Sequence, residues 1–297
     1  DLPDGRRNYR DGVPLVIWIF NNQESWQEYH DKVIKSPMPP GVGGYFRWDN
    51  GWVYLFDHDK KGRRDRTSEI GKNLHEGLHQ LDHWFNKQMN KWRKVKNQQD
   101  WLGEGLAEYM GGVKIDKQRN IEWTGINTSR IKEMRNFAKQ MKEERKMEYP
   151  IFPIHILIQF TRYSQAQNWG SREWQLPGGY VNLMLYQQGF VLVHFMQHYQ
   201  DGKYRDRFTK YYELYLLRGE GQSQAARQFR NVFGFHEDED FEEMQKEFEK
   251  YVEKFMTLDL KPYEYKPPER DDWGPEGPPS AKKDGGSDGD DEDGGDE

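Results

Sequence analysis

The hydrophobic pattern near the N-terminus predicts a small β layer. Residues 13–20 (VPLVIWIF) form a short run of β-branched and aromatic side chains, which is typical of a buried strand. In residues 23–35, apolar side chains recur on one face of a helix. Residues 45–48 and 52–56 are two further strand-like runs, and the Asn-Gly pair between them suits the positive φ angles of a tight hairpin turn.

Helical spacing of apolar residues dominates the rest of the chain. We expect a helix to begin near Thr67 or Ser68, either of which can cap it, and to continue to about Phe85. Further segments with a helical pattern are residues 101–110, 128–146, 181–199, 204–217 and 240–256. Pro153 predicts an extended or bent path for residues 150–160. The whole pattern predicts an α+β fold, in which a small N-terminal β layer with a hairpin precedes a mainly helical body.

The composition of the chain changes near residue 262. Aromatic residues make up 15% of the chain and supply enough large apolar side chains for a folded core. From residue 263 onward Pro, Gly and acidic residues prevail, which predicts a folded domain at residues 1–262 and a disordered tail at residues 263–297. Residues 284–297 alone carry a charge of −8, so the remainder of a chain whose net charge is −6 carries +2. A nearly neutral body does not predict a nucleic-acid partner.

Three further features narrow the class of protein. The chain has no cysteine, which excludes a disulfide framework and a cysteine-based zinc site. No run reaches the roughly 18 apolar residues that a membrane span needs, so we expect none. A basic cluster would fit a nucleic-acid patch but is more typical of a solvated loop. Its members are Lys60, Lys61, Arg63, Arg64 and Arg66.

Residues 75–79 (HEGLH) carry the strongest chemical signal in the chain. They match H-E-x-x-H inside a predicted helix, where His75 and His79 lie one turn apart on the same face and can bind one ion. Glu76 then lies beside the metal, where its carboxylate can take a proton from water. The alternative is a chance grouping on a polar helix face. A third ligand decides between these interpretations, because catalytic zinc usually has three protein ligands.

Glu104 is the better candidate for the third ligand. His83 continues the histidine series, but it lies about 12 Å along the helix from the first histidine, too far for one ion. Glu104 lies on the next predicted helix, where Gly103 and Gly105 would permit close packing against the metal helix. Glu108, one turn further, can accept the second ring N–H of a bound histidine. The alternative for both carboxylates is an exposed acidic face.

The two segments together resemble those of a known family. HEGLH followed by WLGEGLAEY (residues 101–109) is similar to the gluzincins, and especially to the peptidase MA-like domains, whose pattern is H-E-x-x-H followed by W-L-x-E-G-x-A-E-Y. The resemblance implies a zinc metallopeptidase with one zinc ion, held by His75, His79 and Glu104. It also implies that Glu108 supports a ligand from behind and that the helical body is gluzincin-like. It favours an extracytoplasmic or secreted protein that acts on a peptide or protein substrate.

A weaker likeness lies downstream. Residues 186–190 (YQQGF) resemble the Tyr-Glu-Lys-Gly-Phe segment of the aminopeptidase N family, in which the tyrosine stabilises the oxyanion of the tetrahedral intermediate. The resemblance gives Tyr186 this role, and the alternative is an ordinary aromatic residue near a helix start. The chain departs from that family at residues 41–46 (GVGGYF), which lack the Glu of Gly-x-Met-Glu-Asn. Specificity for a free amino terminus is therefore not expected, although the hairpin strand can still bind a substrate backbone.

Three other functions remain open at this stage. The domain could keep zinc for stability and act as a binding scaffold, although a structural site has no use for the base Glu76. It could be a zinc hydrolase that cleaves a non-peptide bond. It could bind nucleic acid through the basic cluster at residues 60–66. The sequence does not indicate the oligomeric state, the preferred peptide or the choice between endo- and exo-cleavage.

Overall fold

The computed structural model describes residues 15–36, 42–56, 66–89, 99–115, 120–218 and 222–258. The predicted domain boundary at residue 262 and the predicted tail at residues 263–297 lie outside these ranges. So do the side chains of the basic cluster at residues 60–66. The described part is mostly helical with a small N-terminal sheet, which confirms the predicted α+β class.

The N-terminal sheet has three strands. They are β1 (Ile17–Phe20), β2 (Gly44–Arg47) and β3 (Trp52–Phe56). The order is β1-β3-β2, with β1 parallel and β2 antiparallel to the central β3. The predicted hairpin between β2 and β3 is confirmed, and Gly51 in its turn has a φ of +73°. Helix α1 (Gln23–Tyr29) follows β1, is capped by Asn22, and ends in a wider π-helical turn, His30–Ile34.

The prediction that the first strand is buried was wrong. β1 lies at the sheet edge, and its Ile19 is 65% exposed, whereas Val53 in the central strand is 0% exposed. Ile17 and Ile19 pair in register with Val53 and Leu55 and therefore share their face of the sheet. That face is covered over β2 and β3 by the helix after the hairpin but is left open over β1. An apolar run alone does not distinguish a central strand from an edge strand.

Nine further helices and a second hairpin follow in the described residues. The helices are α2 (Arg66–Met89), α3 (Asp100–Met110), α4 (Thr128–Arg145), α5 (Ile154–Leu157), α6 (Tyr163–Glu173), α7 (Gly178–His198), α8 (Arg205–Arg218), α9 (Gln222–Phe233) and α10 (Phe241–Thr257). The hairpin joins β4 (Val113–Ile115) to β5 (Ile121–Trp123). The six helical segments predicted after the first hairpin are present, whereas α6, α9 and the β4–β5 hairpin were not predicted. The short α5 lies in the segment that was expected to be extended or bent.

Glycines set the distance between the helices that build the core. A Cβ on Gly105 in α3 would lie 2.5 Å from the carbonyl oxygen of Gly189 in α7. A Cβ on Gly71 in α2 would lie 2.9 Å from the carbonyl oxygen of Gly111, just after α3. Helix α3 therefore contacts both neighbours at backbone distance, and Trp101 and Leu102 at its start are fully buried. Close packing against α2 was expected at both Gly103 and Gly105, but Gly105 packs against α7 and no described atom lies within 4 Å of a Cβ on Gly103.

Helix α7 is long and largely buried, yet it does not have the character of a membrane span. None of the helices in the described ranges combines the length and the apolar character that crossing a bilayer requires. The buried residues of α7 instead form the main core together with side chains from α3, α4, α8 and α10.

Candidate metal centre

Helix α2 presents the two histidines of the HEGLH segment on one face. Their spacing of four residues puts His75 and His79 one turn apart, and the rings meet edge to face with centroids 4.9 Å apart. The two Nε2 atoms lie 3.3 Å from each other. Both side chains are only slightly exposed, at 15% and 13%. The two nitrogens thus face the same small volume at the surface of α2 that is turned towards α3.

Helix α3 adds one oxygen to this pair. The Oε2 atom of Glu104 lies 3.3 Å from the Nε2 atom of His75 and 3.3 Å from that of His79. The three atoms therefore form a nearly equilateral triangle. A tetrahedral ion with bonds of about 2.0–2.1 Å needs its ligands about 3.3–3.4 Å apart, which is the spacing found here. The His75, His79 and Glu104 group could hold a metal ion, and it is the one such group among the described residues.

The electrostatics of the triangle reflect burial and mutual attraction. Burial would raise the pKa of Glu104, but His79 and His75 beside it hold that pKa well below its usual range. Burial would lower the pKa of His75, but Glu104 and Glu108 raise it to about 9. The pKa of His79 is likewise raised by Glu104 against the effect of burial. Protons and a metal cation thus compete for the imidazole nitrogens of His75 and His79, while Glu104 stays ionised.

Glu76 lies beside the triangle without belonging to it. Its Oε1 atom is 4.0 Å from the Nε2 atom of His75. Burial raises the pKa of Glu76, and His75 and His79 oppose this rise. The backbone amide of Phe46 in β2 also acts on the carboxylate and lowers its pKa slightly. The edge strand β2 therefore runs next to the carboxylate that the sequence predicts as the base.

Glu108 lies behind the first histidine, but it does not make the hydrogen bond to that ring which the sequence predicts. Its Oε1 atom is 3.6 Å from the Nδ1 atom of His75, which is close but beyond hydrogen-bond distance. Arg130 in α4 donates to the same oxygen, and the Asn127 amide donates to the other oxygen at 2.7 Å. The Asn127 oxygen meanwhile caps α4 at the amide of Arg130. Two donors at the start of α4 thus hold the Glu108 carboxylate, which faces the ring of His75.

Two tyrosines approach the triangle from the side of α6 and α7. The Tyr163 hydroxyl donates to the Oε1 atom of Glu104 at 2.5 Å. The Tyr186 hydroxyl lies 2.9 Å from the Tyr163 hydroxyl, and the two rings stack with centroids 5.9 Å apart. The guanidinium carbon of Arg130 is 5.5 Å from the centre of the Tyr186 ring. Burial and the Glu104 carboxylate raise the pKa of Tyr186 well above its usual range, so its phenol stays protonated.

Sequence reasoning missed Tyr163, Arg130 and Asn127. None of them lies in a motif, and each reaches the site from a helix start that follows a loop. The Asn127 cap is visible as Asn before a helical run, but its second contact with Glu108 is not. His83, which was rejected as a ligand, packs its ring against those of Phe46 and Trp48 at 5.3 Å and 5.5 Å.

The comparisons with known proteins leave the family open. No protein-family model matches this chain, and no curated protein is significantly similar to it. The likeness to gluzincins therefore depends on the residues of the site and on their arrangement.

Proposed function

We propose that this chain is a zinc-dependent peptidase of the gluzincin type. The observation that carries the proposal is the triangle of two imidazole nitrogens and one carboxylate oxygen with sides of 3.3 Å. A further carboxylate, that of Glu76, lies at its edge and is not one of the three ligands. A site that only stabilises the fold needs the triangle but not this fourth group. The same grouping on a helix pair is what the HEGLH and WLGEGLAEY segments imply through their resemblance to the family.

Zinc is the metal that the donor set favours. Two histidines and one glutamate are the protein ligands of zinc in several peptidases, and the 3.3 Å spacing fits tetrahedral bonds of about 2.0–2.1 Å. The two-histidine, one-carboxylate set also holds ferrous iron in oxygenases. Those enzymes have no use for a carboxylate base next to the first ligand, which makes zinc the better candidate. Elemental analysis of protein dialysed against metal-free buffer separates the two.

Each residue of the site has a separate role in the proposed hydrolysis. Zinc held by the triangle would lower the pKa of a coordinated water to about 7 and polarise the substrate carbonyl. Glu76 accepts a proton from the attacking water and returns it to the leaving amine. Tyr186 keeps its phenolic proton and can donate it to the oxyanion that develops on the carbonyl oxygen once this proton turns away from the Tyr163 hydroxyl. Glu108 keeps the ring of His75 in its orientation from behind.

The position of β2 supports a peptide as the substrate. Among the described residues β2 pairs only with β3, so its other side carries backbone groups that a further strand can pair with. This free edge passes Glu76, since the Phe46 amide acts on that carboxylate. A peptide laid along β2 would bring its own carbonyl groups past the triangle. A substrate without a peptide backbone gains nothing from this edge.

The decisive test replaces Glu76 and keeps the ligands. Glu76→Gln retains one zinc per chain, because the triangle is intact, and lowers kcat on a quenched-fluorescent peptide library by about 10²- to 10⁴-fold, because the proton acceptor is lost. His79→Ala is the companion variant and loses the metal as well as activity. Zinc content by elemental analysis and cleavage by fluorescence measure both outcomes.

Different results would select the rival functions. Full hydrolysis by Glu76→Gln contradicts the assigned role of that residue. A zinc-loaded wild-type protein that cleaves no peptide, yet cleaves an ester or an epoxide, indicates a non-peptide hydrolase. One that cleaves neither is a zinc-binding scaffold, and tight binding of DNA at low salt would favour the nucleic-acid function.

A further inference from the structure

Tyr163 distinguishes the two oxygens of Glu104. Oε2 faces the two imidazole nitrogens, and Oε1 accepts the hydrogen bond of the Tyr163 hydroxyl at 2.5 Å. The tyrosine lies at the start of α6, outside every motif in the sequence. Its side chain is half-buried and its ring stacks on that of Tyr186. The hydrolytic steps assigned above do not use it.

The hydrogen bond has a direct consequence for metal binding. A carboxylate can offer a cation either one oxygen or both, and a bidentate carboxylate occupies two positions around the ion. An oxygen that already accepts a short hydrogen bond is a poorer second ligand, because its electron density is shared with the donor. Tyr163 therefore holds Glu104 so that only Oε2 faces the imidazoles. This leaves room at the triangle for water and substrate.

The same hydrogen bond fixes the direction of the next one. A ligand carboxylate is ionised and can only accept, so the single phenolic proton of Tyr163 is donated to Glu104. The 2.9 Å contact between the two hydroxyls then requires that Tyr186 donates and Tyr163 accepts. The Tyr186 proton therefore points at Tyr163 and not at the triangle. Without the Tyr163 hydroxyl, the Tyr186 hydroxyl loses this acceptor.

We propose that Tyr163 is a positioning residue that keeps Glu104 a single-oxygen ligand. This role depends only on the triangle and not on the proposed peptidase activity.

Tyr163→Phe tests this role, with Tyr186→Phe as the matched control. Each variant removes one hydroxyl from the same stacked pair, but only the first hydroxyl contacts Glu104. We expect Tyr163→Phe to weaken zinc binding about 10- to 100-fold in a competition titration with a chelator. Tyr186→Phe should bind zinc as the wild type does. With cobalt in place of zinc, the visible absorption of Tyr163→Phe should weaken, because a second glutamate oxygen raises the coordination number.

Unfolding midpoints of the metal-free proteins show whether a variant is folded. If they agree, a change in metal affinity is not a general loss of structure. If Tyr163→Phe fails to fold, Tyr163→Trp keeps a bulky ring at the position, lacks the phenolic hydroxyl, and takes its place in the titration. Unchanged zinc affinity and an unchanged cobalt spectrum for the folded variant would overturn the inference, and so would a wild-type protein that binds no metal.

A wild-type protein that binds zinc tightly but cleaves no peptide refutes the proposed peptidase, and the zinc titration of Tyr163→Phe still decides the role of Tyr163 in metal binding.

Discussion

The N-terminal sheet and the α3–α7 helix pair flank the same metal centre but are built in opposite ways. The sheet is thin, and the outer positions of β1 are open, with Ile19 at 65% exposure. In the helix pair, Gly105 and Gly189 meet at backbone distance and the surrounding side chains are fully buried. The candidate ligand Glu104 comes from the dense side, whereas the β2 edge next to Glu76 belongs to the open side.

The difference separates two requirements of the proposed hydrolytic site. Ligand positions must be held to within a few tenths of an ångström, which dense backbone packing provides. A substrate must also be able to enter, which a free sheet edge allows. A chain that places the carboxylate on the dense side and the base near the edge satisfies both. Three changes test this division of the molecule, from the most to the least disruptive.

At neutral pH, Gly105→Ala should cause the largest loss of stability. Its Cβ would lie 2.5 Å from the carbonyl group of Gly189, so α3 and α7 must separate. Overpacking of this kind in a dense core costs about 3 kcal/mol in the free energy of unfolding. Urea denaturation followed by circular dichroism measures it. The matched control is Gly103→Ala two residues away, where no described atom lies within 4 Å of the added Cβ.

Gly103→Ala should instead be neutral or stabilise by up to about 1 kcal/mol, because alanine is the better helix former. Equal losses in the two variants would show that the helix pair is not packed at Gly105. The dense side would then have no special status compared with the sheet.

Acid should weaken the helical body through His194. This residue lies in α7 against His198, and its Nδ1 atom is 2.9 Å from the Tyr251 hydroxyl. Burial, and then His198, lower the pKa of His194 from 6.5 to about 3. Below pH 6.5 the unfolded chain therefore takes up a proton that the folded chain refuses. As the pH is lowered from 6.5 to 3, the free energy of unfolding should fall by up to about 1.4 kcal/mol per pH unit. Above pH 6.5 the stability contributed by the neutral His194 is fully present.

His194→Gln removes this titration, so its unfolding free energy should depend less steeply on pH than that of the wild type between pH 6 and pH 4. Urea titrations at several pH values measure the slopes. The exposed His236→Gln is the control and should keep the wild-type slope. Identical slopes for the wild type and His194→Gln would contradict the cost of burying this histidine.

The smallest effect is expected at the sheet edge. Ile19→Thr keeps a β-branched side chain at an exposed position and should change the free energy of unfolding by less than about 0.5 kcal/mol. Val53→Thr makes a similar change at a fully buried position of β3 and should cost about 2 kcal/mol, because a hydroxyl is buried without an assured partner. A large loss at Ile19 would mean that β1 is covered, and the contrast between the two regions would disappear.

Periodicity and motif spacing were sufficient for much of this fold. The first hairpin followed from its Asn-Gly turn, and the longer helices followed from apolar residues at helical spacing. The spacing within HEGLH also predicted that His75 and His79 would face the same point, whereas the packing expected at Gly103 and Gly105 against the metal helix was wrong. The predictions that follow from local spacing share one cause. These predictions succeeded because they depend on local geometry, in which the relation between residues a few positions apart is fixed by the helix itself.

The remaining features depend on contacts between distant segments. β1 is exposed because it lies at the edge of the sheet and because α2 covers only β2 and β3. Neither fact can be read from residues 13–20 alone. Tyr163 is 59 positions from Glu104 in sequence, and only the packing of α6 on α7 brings its hydroxyl to the carboxylate. A hydrogen bond between side chains so far apart in the chain leaves no periodic pattern in the sequence. The tail and the basic cluster stay predictions.

The contact between Gly105 and Gly189 has a consequence for protein engineering. Anyone who transplants the three ligands and the base into another scaffold would copy residues from α2 and α3 and would leave α7 behind. Helix α3, which carries the carboxylate, would then lose the backbone against which it packs, because Gly105 and Gly189 contact each other even though they are far apart in the chain. A faithful graft has to include this remote residue, which takes no part in the chemistry.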